Sequence, residues 1–149
     1  MRLIIDANAL SEVFDSSNSN HKNYAPVKKC VLECKGVMYY GGTKFKEEIE
    51  TQKSLIKLLG ELRKSGKLIE LNQDVVDKKE KALKVIEPAT NFDDPHLIAI
   101  CIIAEIELIC SNDKRADKYI TAHYLYPSPK LIPAIYRNLT HKHLLIPCF

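Results

Sequence analysis

Short, densely apolar runs alternate along this chain with longer stretches in which apolar residues recur at helical spacing. Arg2–Ile5, Val37–Tyr40, Leu68–Leu71 and Glu107–Ser111 read as strands, because each is brief, apolar and bounded by turn residues or a change of period. A fifth strand is expected within Leu131–Tyr136, in a region broken by Pro127, Pro129 and Pro133. Helical spacing marks Ala7–Phe14 and Val27–Lys35, the latter stopped by Gly36. After Gly41-Gly42, Thr43 reads as the N-cap of one long helix to about Lys64, with Phe45, Ile49, Leu55, Ile56, Leu58, Leu59 and Leu62 on its apolar stripe. Asp74–Glu87 forms a further helix ended by Pro88. Asp94-Pro95 opens another, to about Glu105, with proline at the first helical position. Asp113–Ala122 reads as the last helix, and Ser16–Asn23 as a polar loop.

Strands alternating with helices imply an α/β fold, with a central parallel sheet covered on both faces in three layers. The 149 residues suit one domain, residues 1–149, with 124–149 an irregular basic C-terminal segment. Asp6 interrupts the opening apolar run, and no stretch reaches the roughly 20 apolar residues of a membrane span. The expectation is a cytoplasmic protein without a membrane partner. Five cysteines, an odd number, argue against a closed disulfide framework. Cys30 and Cys34 lie one helical turn apart but lack the second pair of soft ligands that a zinc site needs.

Placed on this framework, the acids become informative. Asp6 follows the first strand and Asp113 the fourth. Ligands of parallel α/β sheets bind at the carboxyl ends of strands. Asp94 opens the helix that leads into the fourth strand, and Glu48 lies early in the helix after the second, so both can reach the same rim. Each aspartate alone reads as a helix cap, and Glu47, Glu48 and Glu50 alone as a solvated face. The ordered set points further. Four carboxylates in one pocket repel unless cations fill it, and hard divalent ions take oxygen ligands and bridge to phosphate. Two such ions can activate water and stabilise the leaving oxygen of a phosphodiester, with no Ser or Cys nucleophile.

Four segments in this order resemble the motifs of the PIN-domain family: Met1–Leu10, with Asp6 closing the strand and Asn8 two residues on; Thr43–Ile49, with a Glu before an aliphatic residue; Asp94–Ala99, with Ala five residues after the Asp; and Leu108–Asp113, with an aliphatic strand, Ser111 and the Asp. The match spans residues 1 to about 122. The resemblance implies a three-layer α/β/α fold and a Mg²⁺- or Mn²⁺-dependent endoribonuclease acting on single-stranded RNA. Asp6, Glu48, Asp94 and Asp113 would then be the catalytic, metal-binding carboxylates. Asn8 and Ser111 would orient them, and Asp117 would serve as an additional acid. Glu48 is preferred to Glu47 because Ile49 follows it, and Asp94 to Asp93 because Ala99 then falls at the family spacing. Many small members of the family are toxins of toxin–antitoxin pairs and often form dimers. The implied partners are therefore RNA, a small antitoxin protein and a second copy of the chain.

Charge adds to this picture. The net charge is +3, yet residues 113–149 carry six basic and two acidic residues, so the surplus is concentrated there. Lys114 and Arg115 flank the proposed pocket and are the expected phosphate contacts. His96, on the opening turn of its helix, reads as structural before catalytic. Tyr39, Tyr40, Tyr119, Tyr124, Tyr126 and Tyr136 read mainly as packing residues, with base stacking as the other use of such rings. Nuclease chemistry on DNA or structured RNA is one alternative, and two rival functions lie outside that chemistry. An aspartate-based phosphohydrolase also places an Asp after strand one, but needs a second where Asn8 stands. A catalytically silent module would keep the fold and serve in an RNA or protein complex.

Overall fold

A computed structural model describes residues 1–145. Five strands form one all-parallel sheet: β1 (Arg2–Ile5), β2 (Val37–Tyr40), β3 (Leu68–Glu70), β4 (Leu108–Cys110) and β5 (Ala134–Tyr136), in the order β3-β2-β1-β4-β5. β1 and β4 are central, and Leu3, Ile4, Ile5, Leu108, Ile109 and Cys110 have no solvent exposure. Strands buried on both faces read as continuous apolar runs, which is why these two lacked polar alternation. Leu3 pairs with Leu108 and Ile5 with Cys110, so the two strands end together.

The helices are α1 (Leu10–Phe14), α2 (His21–Glu33), α3 (Thr43–Glu50), α4 (Ile56–Lys64), α5 (Gln73–Ile86), α6 (Pro95–Ala104) and α7 (Asp117–Ile120), flanking the sheet in a three-layer α/β/α arrangement. α6 packs on α5 and against β1 and β2, while α1 packs on α2. Residues Pro95–Cys101 of α6 are all buried, as expected of a helix apolar on every side. No helix among the described residues is long and apolar enough to cross a membrane.

Three local departures from the sequence pattern have physical causes. The long helix expected from Thr43 is two helices. The Thr51 hydroxyl donates to the Glu48 carbonyl at 2.6 Å, and Gln52 N–H donates to Ile49 at 2.8 Å, which closes α3 before α4 begins. Its cap is Gly42 rather than Thr43. Gly42 has φ +81°, and a Cβ there would meet Val76 Cγ1 at 2.6 Å, so glycine alone fits this turn. Thr43 instead gives its N–H and hydroxyl to the Asp77 carboxylate, at 2.8 and 2.6 Å. Finally, α2 starts at His21, six residues before the expected helix, and accommodates Pro26. Burial of Tyr24 against Tyr136, with ring centroids 6.0 Å apart, favours helix over the usual exclusion of proline.

Residues 123–145 are less irregular than their prolines suggest, while the last four residues of the expected 124–149 segment lie outside the described residues. β5 completes the sheet beside β4, and Tyr136 is fully buried. Residues 113–122, expected as one helix, are a 3₁₀ turn (Lys114–Ala116) followed by α7.

Candidate metal centre

The strand order places the site. The chain moves from β1 outward to β3, then returns to the other side of β1 as β4, so the direction of winding reverses between β1 and β4. Such a reversal opens a crevice at the carboxyl edge of a parallel sheet. Asp6 follows β1 there and Ser111 follows β4. Asp6 N–H donates to the Cys110 carbonyl at 2.9 Å, and the Ser111 hydroxyl donates to Asp6 Oδ2 at 2.8 Å. Ser111 is fully buried and thus orients the Asp6 carboxylate.

Asp6 is only 5% exposed. Burial opposes its ionisation, and the Ser111 hydrogen bond offsets this only in part. With Asp94 and Glu48 adding repulsion, its pKa is pushed up to about 6. Asp94 stands at the N-cap position of α6, yet its side chain makes no capping hydrogen bond. Burial raises its pKa as well, against the pull of His96 and Lys44. Asp6 likewise sits at the start of a 3₁₀ turn (Ala7–Ala9) without capping it. The simple role of helix cap therefore does not account for either residue.

Glu48 comes from the second turn of α3 and approaches α6 from across the crevice. Glu48, Asp94 and His96 each present a ligand atom, and these atoms lie within 4.8 Å of one another. His96 Nε2 is 3.3 Å from Glu48 Oε2, within ion-pair reach but off hydrogen-bond alignment. Burial opposes ionisation of Glu48, but His96 and Lys44 outweigh it and hold its pKa below the ordinary value. Lys44, one turn before Glu48 on α3, places Nζ 3.7 Å from Asp94 Oδ1 and donates to the Asp93 carbonyl. Glu47 and Asp93 are exposed, whereas Glu48 and Asp94 turn into the cluster.

The remaining sequence candidates lie around this centre in different states. Asp113 N–H donates to Ser111 Oγ at 3.2 Å, which connects it to Asp6 through the serine. Its carboxylate, however, caps the following turn and is gripped by Arg115 at 3.1 Å through both Nε and a terminal nitrogen. Hydrogen bonding to Arg115 lowers its pKa. Asp117 is held by both terminal nitrogens of Arg137, at 2.7 and 2.5 Å. Arg137 Nε also donates to the Ser111 carbonyl at 3.1 Å, tying β5 to the end of β4. Asn8 is exposed, and its carbonyl accepts from Asn112. Lys114 and Arg115 are exposed and line, with Lys118, Asn91 and Asp93, a cleft of about 420 Å³. Tyr40, Tyr119, Tyr126 and Tyr136 are buried, so they are packing residues, while Tyr124 is 59% exposed. Among the described residues, Cys30 belongs to no group of three potential ligands.

His96 and Lys44 are the members that the sequence pattern undervalued. Each had a signal: His96 lies two residues after Asp94 inside an otherwise apolar helix, and Lys44 lies four before Glu48 on one helix face.

No protein-family model matches the chain, and no curated protein or solved structure is significantly similar to it.

Proposed function

We propose that this protein is a metal-dependent phosphodiesterase that cleaves single-stranded RNA. The observation that carries this reading is the cluster of Glu48 and Asp94 with His96 at the β1/β4 crevice, within electrostatic reach of Asp6, with Asp6 and Asp94 desolvated enough to raise their pKa values. Carboxylates forced together in this way are a receptor for divalent cations. Mg²⁺ or Mn²⁺ bound there would polarise water and stabilise the leaving oxygen of a phosphodiester. Asp6 supplies a carboxylate fixed by Ser111. Glu48 and Asp94 face each other from α3 and α6, with Asp113 as an outer acid joined through Ser111. Lys114, Arg115 and Lys118, along the adjoining cleft, suit the backbone phosphates of a single strand.

The resemblance to PIN domains supports the same reading, and with it a small antitoxin protein and a second copy of the chain as partners in the cytoplasm. A second reading is supported by the protein's own cations. Arg115 grips Asp113, and Lys44 faces Asp94, as in a binding module that no longer turns over. Mixed RNA and DNA oligonucleotides incubated with Mn²⁺, Mg²⁺ or EDTA separate the two. Metal-dependent RNA cleavage that disappears in Asp94→Asn is the expected result. Intact oligonucleotides under every condition, with folded protein, would sink the nuclease reading in favour of the binding module.

A further inference from the structure

Among the described residues, His96 is the one side chain with two buried polar atoms that have no hydrogen-bond partner. It has no solvent exposure, and neither Nδ1 nor Nε2 has a hydrogen-bond partner. A buried polar group left unsatisfied costs about 1–3 kcal/mol, so a purely structural histidine would be expected to find a donor or acceptor. Phe45, with its ring centroid 5.9 Å from that of His96, offers none. Nε2 instead stands 3.3 Å from Glu48 Oε2 and close to Asp94, in the one group of three potential ligands among the described residues.

We propose that His96 is a metal ligand through Nε2, and that Glu48, Asp94 and His96 form a mixed carboxylate–imidazole site selecting first-row transition dications over Mg²⁺. Ligand atoms around one ion lie roughly 3–4.4 Å apart, so a spread of 4.8 Å closes with small side-chain rotations. Mg²⁺ favours oxygen ligands and gives up its waters reluctantly. Imidazole suits the later transition ions, and Mn²⁺ accepts both donor types more readily than Mg²⁺. Lys44 fits this picture as the charge that a dication displaces, since its Nζ lies 3.7 Å from Asp94 Oδ1 and its stem is flexible.

This inference rests on reading the cluster as a metal centre, but not on nuclease turnover. The test is direct metal binding by the full chain after chelation, with Mn²⁺, Co²⁺ and Mg²⁺ as probes. Calorimetry gives the affinities, Co²⁺ the visible absorption of the bound ion, and pulsed electron paramagnetic resonance on Mn²⁺ the coupling to a ligating nitrogen. Mn²⁺ and Co²⁺ are expected to bind at least about tenfold more tightly than Mg²⁺, with nitrogen coupling in the wild type. His96→Gln should abolish the coupling and weaken Mn²⁺ binding by about tenfold or more. If that variant does not fold, the wild-type coupling and its loss in Asp94→Asn decide the matter. Equal affinity for Mg²⁺, or coupling that persists in folded His96→Gln, overturns the proposal. Bound Mn²⁺ with nitrogen coupling but no RNA cleavage would sink only the nuclease reading. Mg²⁺-supported cleavage without nitrogen coupling would sink only this inference, and no metal binding at all would sink both.

Discussion

The two sides of the crevice treat their acids in opposite ways. On the β4–β5 side, Asp113 and Asp117 are each matched by an arginine at hydrogen-bond distance. On the β1–β2 side, Glu48 and Asp94 share the His96 imidazole, Lys44 stands 3.7 Å from Asp94 alone, and Asp6 and Asp94 have raised pKa values. Carboxylates paired with arginines have less need of an outside cation, even at a functional edge. Buried carboxylates whose pKa values stay raised, as those of Asp6 and Asp94 do, are under-compensated by the fold. Position alone cannot tell the two apart, because all four aspartates start a turn or helix.

The largest effect expected from this contrast is on cleavage. Asp94→Asn and Asp6→Asn should lower metal-dependent RNA cleavage by at least about a hundredfold, since each removes an anionic oxygen from the proposed site. Circular dichroism should show both variants folded. Asp113→Asn, already neutralised by Arg115, should cost far less activity, and a loss equal to that of Asp94→Asn would erase the distinction between the two sides.

Stability should respond in the reverse sense. A carboxyl whose folded pKa is raised binds more protons in the native than in the unfolded state, so stability falls as pH rises through the interval between the two values. For Asp6 that interval runs from 3.8 to about 6. The full penalty, about 3 kcal/mol, applies above it and is absent below it. In EDTA at neutral pH, Asp6→Asn should therefore be more stable than wild type by about 1–3 kcal/mol. A saturating dication should shrink that difference. Denaturant melts at pH 4 and 7, with and without Mn²⁺, provide the check.

On the other side, Arg137→Ala should destabilise by about 1–3 kcal/mol, because it frees Asp117 and releases the Ser111 carbonyl. Thermal melts that match wild type would show the pairing to be incidental. A smaller effect is expected from Lys44→Met. Removing its positive charge should tighten Mn²⁺ binding a few fold, whereas weaker binding would mean that the lysine organises the site and does not compete with the ion.

Much of this arrangement was legible in the chain itself. Apolar runs closed by Asp6 and Ser111 revealed where the strands ended, and a parallel sheet fixes that edge as the functional one. The positions of Glu48 and Asp94 followed from elements placed early in each βα unit. What escaped the pattern depended on side chains acting over distance. The division between α3 and α4 turns on a single threonine back-bonding to Glu48. The sequestration of Asp117 depends on Arg137, 20 residues away, and the engagement of His96 on Glu48, 48 residues before it. Helical periodicity explains why His96 is buried but carries no information about what its nitrogens meet.

The hydrogen bond from Ser111 to Asp6 spans 105 residues. A ribosome making this chain adds Ser111 105 residues after Asp6, and β1 lies unpaired on its β4 side until β4 has emerged. No growing chain that ends before Ser111 can aim that carboxylate through this hydrogen bond, whatever else has folded. If the centre cuts RNA, its maker is shielded by the order of synthesis: the blade is not assembled while the residues between Asp6 and Ser111 are still being threaded out beside ribosomal RNA.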